Sequence, residues 1–208
     1  MRRRSWARLL AVPAVAIGIT AGVTVAAPAA FAQTDTSGTV TVTVPLSYIA
    51  QLAKAGVVVA PVPLSELSVN KTNQTATITF TVTGGDGDVG TFFGQVDLSG
   101  KLAFASASHG IHTAVLSGLD LNITNGDIEG TPAGSTTPVA LLDLNGNIAF
   151  SNTENTDGTY AETYSSDDLT IDPDGAAYLD SALHTSAFVA NGDTGGSMAA
   201  SWTFNPNV

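Results

Sequence analysis

The stretch that decides the fold is residues 94–123, GQVDLSGKLAFASASHGIHTAVLSGLDLNI. Apolar residues alternate with polar ones through it, at Val96 and Leu98 near its start and at Leu119 and Leu121 near its end. A period of two sends successive side chains to opposite faces of a strand. The stretch therefore predicts strands that turn one apolar face toward a core.

The same alternation continues outside this stretch. It is strongest in TVTVTV, residues 39–44, and in TATITFTV, residues 75–82. Turn signals recur about every 8–12 residues, among them Ser99-Gly100 and Asn145-Gly146, where we expect one strand to end and another to begin. This spacing predicts an all-β-dominated fold, an antiparallel β-sandwich or a barrel-like sheet pair.

Two short segments have helical spacing instead. Residues 46–55 follow Pro45 and precede Gly56, which suit the first turn and the C-terminal end of a helix. A second short helix is expected near Pro173, with Asp172 or Asp174 as its N-cap. The segment between Val57 and Leu64 contains two prolines, so it is at best an edge strand.

The first 32 residues have the features of a signal peptide. Four arginines precede an apolar run, and Ala30-Phe31-Ala32 has the small-x-small pattern of a cleavage site. A retained membrane helix and a twin-arginine signal are weaker interpretations, because the apolar run contains Pro13 and the polar residue usual before an arginine pair is absent. We expect one secreted β-rich domain, residues 33–208, with no membrane span after signal removal. It would be released or loosely associated with the cell wall.

Charge and cysteine content restrict the function of this domain. All four arginines lie in the predicted signal, so residues 33–208 keep three lysines against 18 acidic residues, a formal charge of −15. This balance argues against nucleic acid and anionic membranes as partners, because both bind basic patches. The chain has no cysteine, which excludes disulfides, thiolate zinc sites and cysteine nucleophiles.

The residues themselves indicate no enzyme. There is no G-x-S-x-G motif, and acidic pairs such as Asp167-Asp168 are more typical of turns than of a glycosidase. His109 and His112 are three residues apart, which places them on opposite faces of a strand and makes them a poor metal pair. We interpret His112 as an exposed loop histidine. Calcium binding at the two Asp-rich turns, residues 86–88 and 172–174, stays an alternative to simple capping.

Residues 94–183 resemble the HtaA-type haem-binding domain of actinobacterial secreted and surface proteins. Three short motifs, which together span about half of the predicted mature chain, carry the resemblance. They are Gly94-x-Val96-x-Leu98-Ser99-Gly100 with Phe104, then His109-Gly110 ahead of Leu119-x-Leu121-x-Ile123, and finally Leu169-Thr170 with Gly175-Ala176-Ala177-Tyr178. The tryptophan-glycine pair that the family has before its tyrosine is replaced here by residues 43–47, TVPLS.

The resemblance implies a site and a function. In that family a tyrosine near the start of the domain ligates haem iron and a histidine hydrogen-bonds to the tyrosine. By position these are Tyr48 and His109, in an apolar pocket lined by Ile49, Leu52 and either Phe92 or Phe93. The resemblance thus implies a binding module for haem capture or transfer, with haem or a haem-carrying protein as partner. The alternative is an extracellular structural or adhesion domain with no small ligand.

Overall fold

The computed structural model describes residues 37–107 and 110–206. The predicted signal peptide lies outside these residues, so its boundary stays a prediction. The helices within the described ranges are α1, Leu46–Lys54, and α2, Pro173–Leu183, and Leu64–Glu66 forms a 3₁₀ turn. The strands are β1 Gly38–Pro45, β2 Val57–Val62, β3 Leu67–Asn70, β4 Thr75–Gly85, β5 Gln95–Ser106, β6 His112–Asn122, β7 Asp127–Pro132, β8 Val139–Glu154, β9 Tyr160–Ile171 and β10 Asp193–Phe204.

Eight of the strands form a closed antiparallel barrel in the order β5-β6-β7-β8-β9-β10-β1-β4, and β4 pairs back with β5 to close the ring. β2 pairs with the second half of β5, and β3 with the first half of β4, so both flank the ring. The predicted fold class, all-β with two short helices in a sandwich or barrel, is confirmed as a barrel. Closure removes most of the exposed sheet edge that an open antiparallel sheet would leave.

The predicted alternation positions the core. In β1 the valines Val40 and Val42 are buried inside the barrel, whereas the threonines that alternate with them along the strand face outward. Thr43 of β1 shares a hydroxyl hydrogen bond of 3.1 Å with Thr77 of β4 on that outer face. Burial of the inward row provides most of the stabilisation, at roughly 25 cal/mol per Å² of apolar surface removed from water.

Two predicted turns are wrong. Ser99-Gly100 and Asn145-Gly146 do not reverse the chain; both are irregularities within long strands, β5 and β8, where the register with the neighbouring strand shifts. The two glycines adopt positive φ values, 83° at Gly100 and 69° at Gly146. At these two positions the chain uses the same left-handed backbone conformation that many tight turns use, and glycine adopts it without a Cβ clash.

The predicted helices are confirmed. α1 begins directly after Pro45, and Gly56 follows its C-terminal end with φ 79°. Asp172 is the N-cap of α2, because its carboxylate accepts hydrogen bonds from the backbone N–H groups of Asp174, at 2.7 Å, and Gly175, at 3.2 Å. The expected edge strand is β2, with Pro61 inside it. None of the helices in the described ranges has the length and apolar character that crossing a membrane demands.

Candidate functional site

Both helices lie at the same end of the barrel. β1 and β9 both pair antiparallel with β10, so their C-terminal ends meet at one rim. α1 follows β1 at this rim and α2 follows β9. The order of elements therefore places two helices over one opening of the barrel.

Beneath the helices lies a cavity of about 110 Å³ with an apolar lining. The strands contribute Val42, Ile78, Phe80, Leu102, Leu141 and Ile171, and the helices contribute Tyr48, Ile49, Leu52 and Leu179. Thr194 also lines the cavity, but its hydroxyl donates a hydrogen bond of 2.7 Å to the carbonyl of Leu169. Among the described lining residues, Tyr48 is the other one whose side chain carries a polar atom, the phenol oxygen.

Tyr48 lies in the first turn of α1 and is part of the cavity wall together with Ile49 and Leu52. Leu52 is the buried anchor of the helix, and residues three and four apart share a helix face, so Tyr48 and Leu52 face the barrel together. Burial raises the pKa of the Tyr48 phenol from 10.0 to about 12. At neutral pH the hydroxyl keeps its proton.

The histidines are placed differently from the expectation. His109 lies outside the described residues, so its predicted pairing with Tyr48 stays a prediction. The interpretation of His112 as an exposed loop residue is wrong: it is the first residue of β6, half-buried, and its ring stacks on that of His184 with centroids 4.1 Å apart and planes 12° apart. The Nε2 atom of His112 is buried and has no hydrogen-bond partner among the residues that the structure describes.

The imidazole pair lies close to the cavity along the strands. Ser106 of β5 pairs with His112, and the next inward-facing pair is Phe104 with Ala114. Phe104 lines the cavity and packs edge-on against Phe188, with centroids 6.0 Å apart. Sequence spacing does not predict this pair, because His184 lies more than 70 positions from His112 in the chain.

The prediction that Phe92 or Phe93 lines the cavity is wrong. Both lie in the loop between β4 and β5, at the barrel end opposite the helices, and both are exposed. The ring of Phe92 packs edge-on against Phe150 of β8 with centroids 4.6 Å apart. Asp88 holds this loop locally, because its carboxylate accepts a hydrogen bond of 2.7 Å from the N–H of Gly90.

A row of carboxylates crosses the outer face of four neighbouring strands. Asp97 of β5 lies opposite Asp120 of β6, Asp120 lies opposite Glu129 of β7, and Asp127 of β7 lies opposite Asp143 of β8. Asp120 and Asp127 are only 8% and 7% exposed, and the Oδ1 atom of each is buried without a hydrogen-bond partner. Burial, with repulsion from neighbouring carboxylates, raises the pKa of both to about 7.

Metal binding has little support from the geometry. Over the described ranges, no group of three or more His, Asp or Glu side chains is placed to hold a metal ion. In the two Asp-rich turns, Asp172 caps α2, and Asp86 accepts a hydrogen bond of 3.0 Å from the N–H of Gln95. These carboxylates therefore serve the local backbone, as turn and capping residues commonly do.

The fold and cavity define a class of protein: a small antiparallel β-barrel with two helices across one end and an apolar space beneath them. The solved structures include one of this kind, the C-terminal domain of HtaA from Corynebacterium glutamicum, with a TM-score of 0.50 and 13% sequence identity over 81% of this chain and 99% of that domain. At this identity the likeness shows a common fold. No protein-family model matches the sequence, and no curated protein matches it either.

Proposed function

We propose that this protein is a secreted, non-enzymatic binding module that takes haem at the helix-covered end of its barrel, with Tyr48 as the iron ligand. The observation that carries the proposal is the position of the Tyr48 phenol, in the wall of the apolar cavity. The fold shared with the HtaA domain and the sequence resemblance to HtaA-type domains support it. Haem capture or transfer is the activity that this arrangement would serve.

The chemistry of the cavity fits a porphyrin and ferric iron. Hydrocarbon side chains suit the apolar macrocycle, and a tyrosine oxygen is an established type of axial ligand for haem iron. The imidazole that tunes the phenol is assigned to His109. His112 is a second candidate, because its Nε2 is buried and has no partner within the described ranges. Bound haem would supply redox-active iron, and the chain supplies the apolar enclosure and the phenol.

The cavity is too small for haem, so haem binding requires part of the protein to move. At about 110 Å³ it is smaller than the roughly 300–1,000 Å³ typical of ligand pockets. α1 is the element suited to move, because Leu52 is its one buried residue, whereas α2 buries four, Gly175, Ala176, Leu179 and Leu183. We infer that α1 swings outward as the macrocycle enters, and that the space between α1 and the barrel becomes the haem pocket.

The proton on Tyr48 gives the proposal a pH signature. Burial holds the phenol pKa at about 12, so the ligand-free protein carries this proton throughout the physiological range. Coordination as phenolate expels the proton, because metal ligands bind in their deprotonated form. The affinity for ferric haem therefore rises with pH, by up to about tenfold per unit.

A titration with haemin, followed by the Soret band, tests the function. The wild-type protein is expected to shift and sharpen the band, whereas Tyr48→Phe, which keeps the apolar ring and removes only the oxygen, binds at least tenfold more weakly. Tyr178→Phe is the matched control, since Tyr178 is a partly buried phenol on α2 that packs against the core without lining the cavity. If wild type gives no Soret shift, the protein is the structural or adhesion domain of the alternative interpretation.

A further inference from the structure

The second half of β8 is an unprotected sheet edge. β7 pairs with β8 only as far as Asp143, and the last bond on that side joins Leu144 N–H to the carbonyl of Gly126, at 2.8 Å. From Ile148 to Glu154 the strand pairs with β9 alone, within the described part of the chain. Alternate residues of an antiparallel strand direct their N–H and C=O groups to each side, so this edge presents a row of backbone groups to solvent.

The other two edges of the same sheet are blunted. β2 contains Pro61, which cannot donate a hydrogen bond, and β3 is only four residues long. Prolines, lysines and shortness are the usual means by which proteins prevent edge-to-edge pairing. The segment from Ile148 to Glu154, IAFSNTE, has no proline and no lysine. The contrast singles out β8 as the edge that remains able to accept a strand.

Apolar side chains accompany this edge on one face. Ile148 and Phe150 are 37% and 51% exposed although they point to the same side as the buried Tyr164 and Ser166. Phe92 packs on Phe150 from the adjoining loop, and Phe93 beside it is 62% exposed. We call these four residues, Phe92, Phe93, Ile148 and Phe150, the apolar strip.

We propose that two copies of this chain pair through the β8 edges, antiparallel and about a two-fold axis, to form one continuous sheet between two barrels. An isologous antiparallel pairing lets the same seven residues satisfy one another's backbone groups. The axis is perpendicular to the sheet, so the face that carries the apolar strip in one copy continues into the same face of the other. Pairing therefore joins two exposed strips into one shared apolar surface.

Charge favours a second copy despite the acidity of the chain. The segment from Asn145 to Thr153 is uncharged, and Glu154 is the one charged residue of the free edge. In a pairing centred on Ser151, Glu154 lies opposite Ile148 of the other copy, and no two carboxylates meet. Like charges directly opposite each other would destabilise a strand pair, and this edge avoids them.

The test is the concentration dependence of the molecular mass, measured by sedimentation equilibrium on the purified protein. Wild type is expected to approach twice the monomer mass as concentration rises. The double variant A149K/S151K places lysines near one another across the two-fold axis and should stay monomeric. The matched control A161K/T163K adds the same charges to the same outer face, but on β9, which pairs with β8 on one side and β10 on the other. It should dimerise like wild type.

This control also matches the variant in local damage, because each double variant removes the 2.7 Å hydroxyl contact between Ser151 and Thr163. Single-cysteine variants at positions 149–152 add a second readout in a chain without cysteine. Oxidation should link two copies at the position nearest the axis, since directly opposed strand residues have the Cα separation of a disulfide. A wild type that stays monomeric, equal loss of the dimer in both lysine variants, or no cross-link at any of these positions overturns the proposal.

Discussion

Neutralising Asp120 should stabilise the protein, which is unusual for a change at a buried residue. The Asp120 side chain lies on the outer face of β6 between Asp97 and Glu129, it is 8% exposed, and its Oδ1 has no hydrogen-bond partner. Burial, then repulsion from Glu129 and Asp97, raises its pKa from 3.8 to about 7. In Asp120→Asn the size of the side chain is kept and the amide is free to donate to a neighbouring carboxylate.

The sign of the effect follows from proton binding. The unfolded chain releases the Asp120 proton near pH 4, whereas the folded chain keeps it to about pH 7. Between these values the folded state binds more protons, so the free energy of unfolding falls as pH rises through this window. The difference between a pKa of 3.8 and one of about 7 corresponds to roughly 4 kcal/mol. We expect Asp120→Asn to be more stable than wild type at pH 8 by about 2–4 kcal/mol and nearly equal to it at pH 4.

Urea unfolding at a series of pH values between 4 and 8 measures this difference. Asp167→Asn is the control of opposite sign, because hydrogen bonds from the side chain and backbone of Asn147 hold the pKa of that exposed carboxylate below its usual value. Its contribution to stability is present at neutral pH and is lost as pH falls, so Asp167→Asn should be less stable than wild type at pH 8. A wild-type stability that does not fall between pH 4 and 7, or an Asp120→Asn variant less stable than wild type at pH 8, refutes the reasoning.

Three further predictions concern the opposite end of the barrel and α2. Glu162 accepts hydrogen bonds from Val89 N–H, at 3.2 Å, and from Asn152, at 2.9 Å, and burial raises its pKa to about 7. In urea unfolding, Glu162→Gln should have the same free energy of unfolding as wild type at pH 5 and a higher one at pH 8. Equal stability at both pH values contradicts this. Asp172→Ala removes the N-cap of α2 and should lower the free energy of unfolding by about 1 kcal/mol, with no change counting against the cap. A Cβ on Gly175 would lie 2.4 Å from the Ala140 carbonyl, so Gly175→Ala should cost about 1–3 kcal/mol in thermal unfolding, and a wild-type melting temperature would show that α2 can shift away from β8.

The regular part of the fold was predictable because its signals are local. The alternation of Val40 and Val42 with threonines is sufficient for β1, and Leu52 with Pro45 before it is sufficient for α1. The bulges were not predictable in the same way. Ser99-Gly100 has the composition of a turn, and only the continued pairing of Lys101 with Ser117 on β6 shows that the chain runs on. That pairing depends on residues distant in sequence.

The site was predictable in part for the same reason. Tyr48, Ile49 and Leu52 are on one short helix, so helical spacing alone indicates that they face the same cavity. Phe92 was misplaced because the connection between β4 and β5 lies at the other barrel end, which only the direction of the strands reveals. Asp120 reads as a solvent-facing residue in the alternating pattern, and its burial among carboxylates comes from strand register, which a single sequence does not specify.

The central claim is that the Tyr48 phenol, at the wall of the helix-covered cavity, is the group that holds ferric haem. The resonance Raman spectrum of the ferric haem complex tests it most directly, because an iron-bound phenolate adds ring and oxygen vibrations of its own. We predict these bands in wild type and in Tyr178→Phe, and their loss in Tyr48→Phe. A wild-type complex without phenolate bands, or a Tyr48→Phe complex that keeps them, would contradict the account.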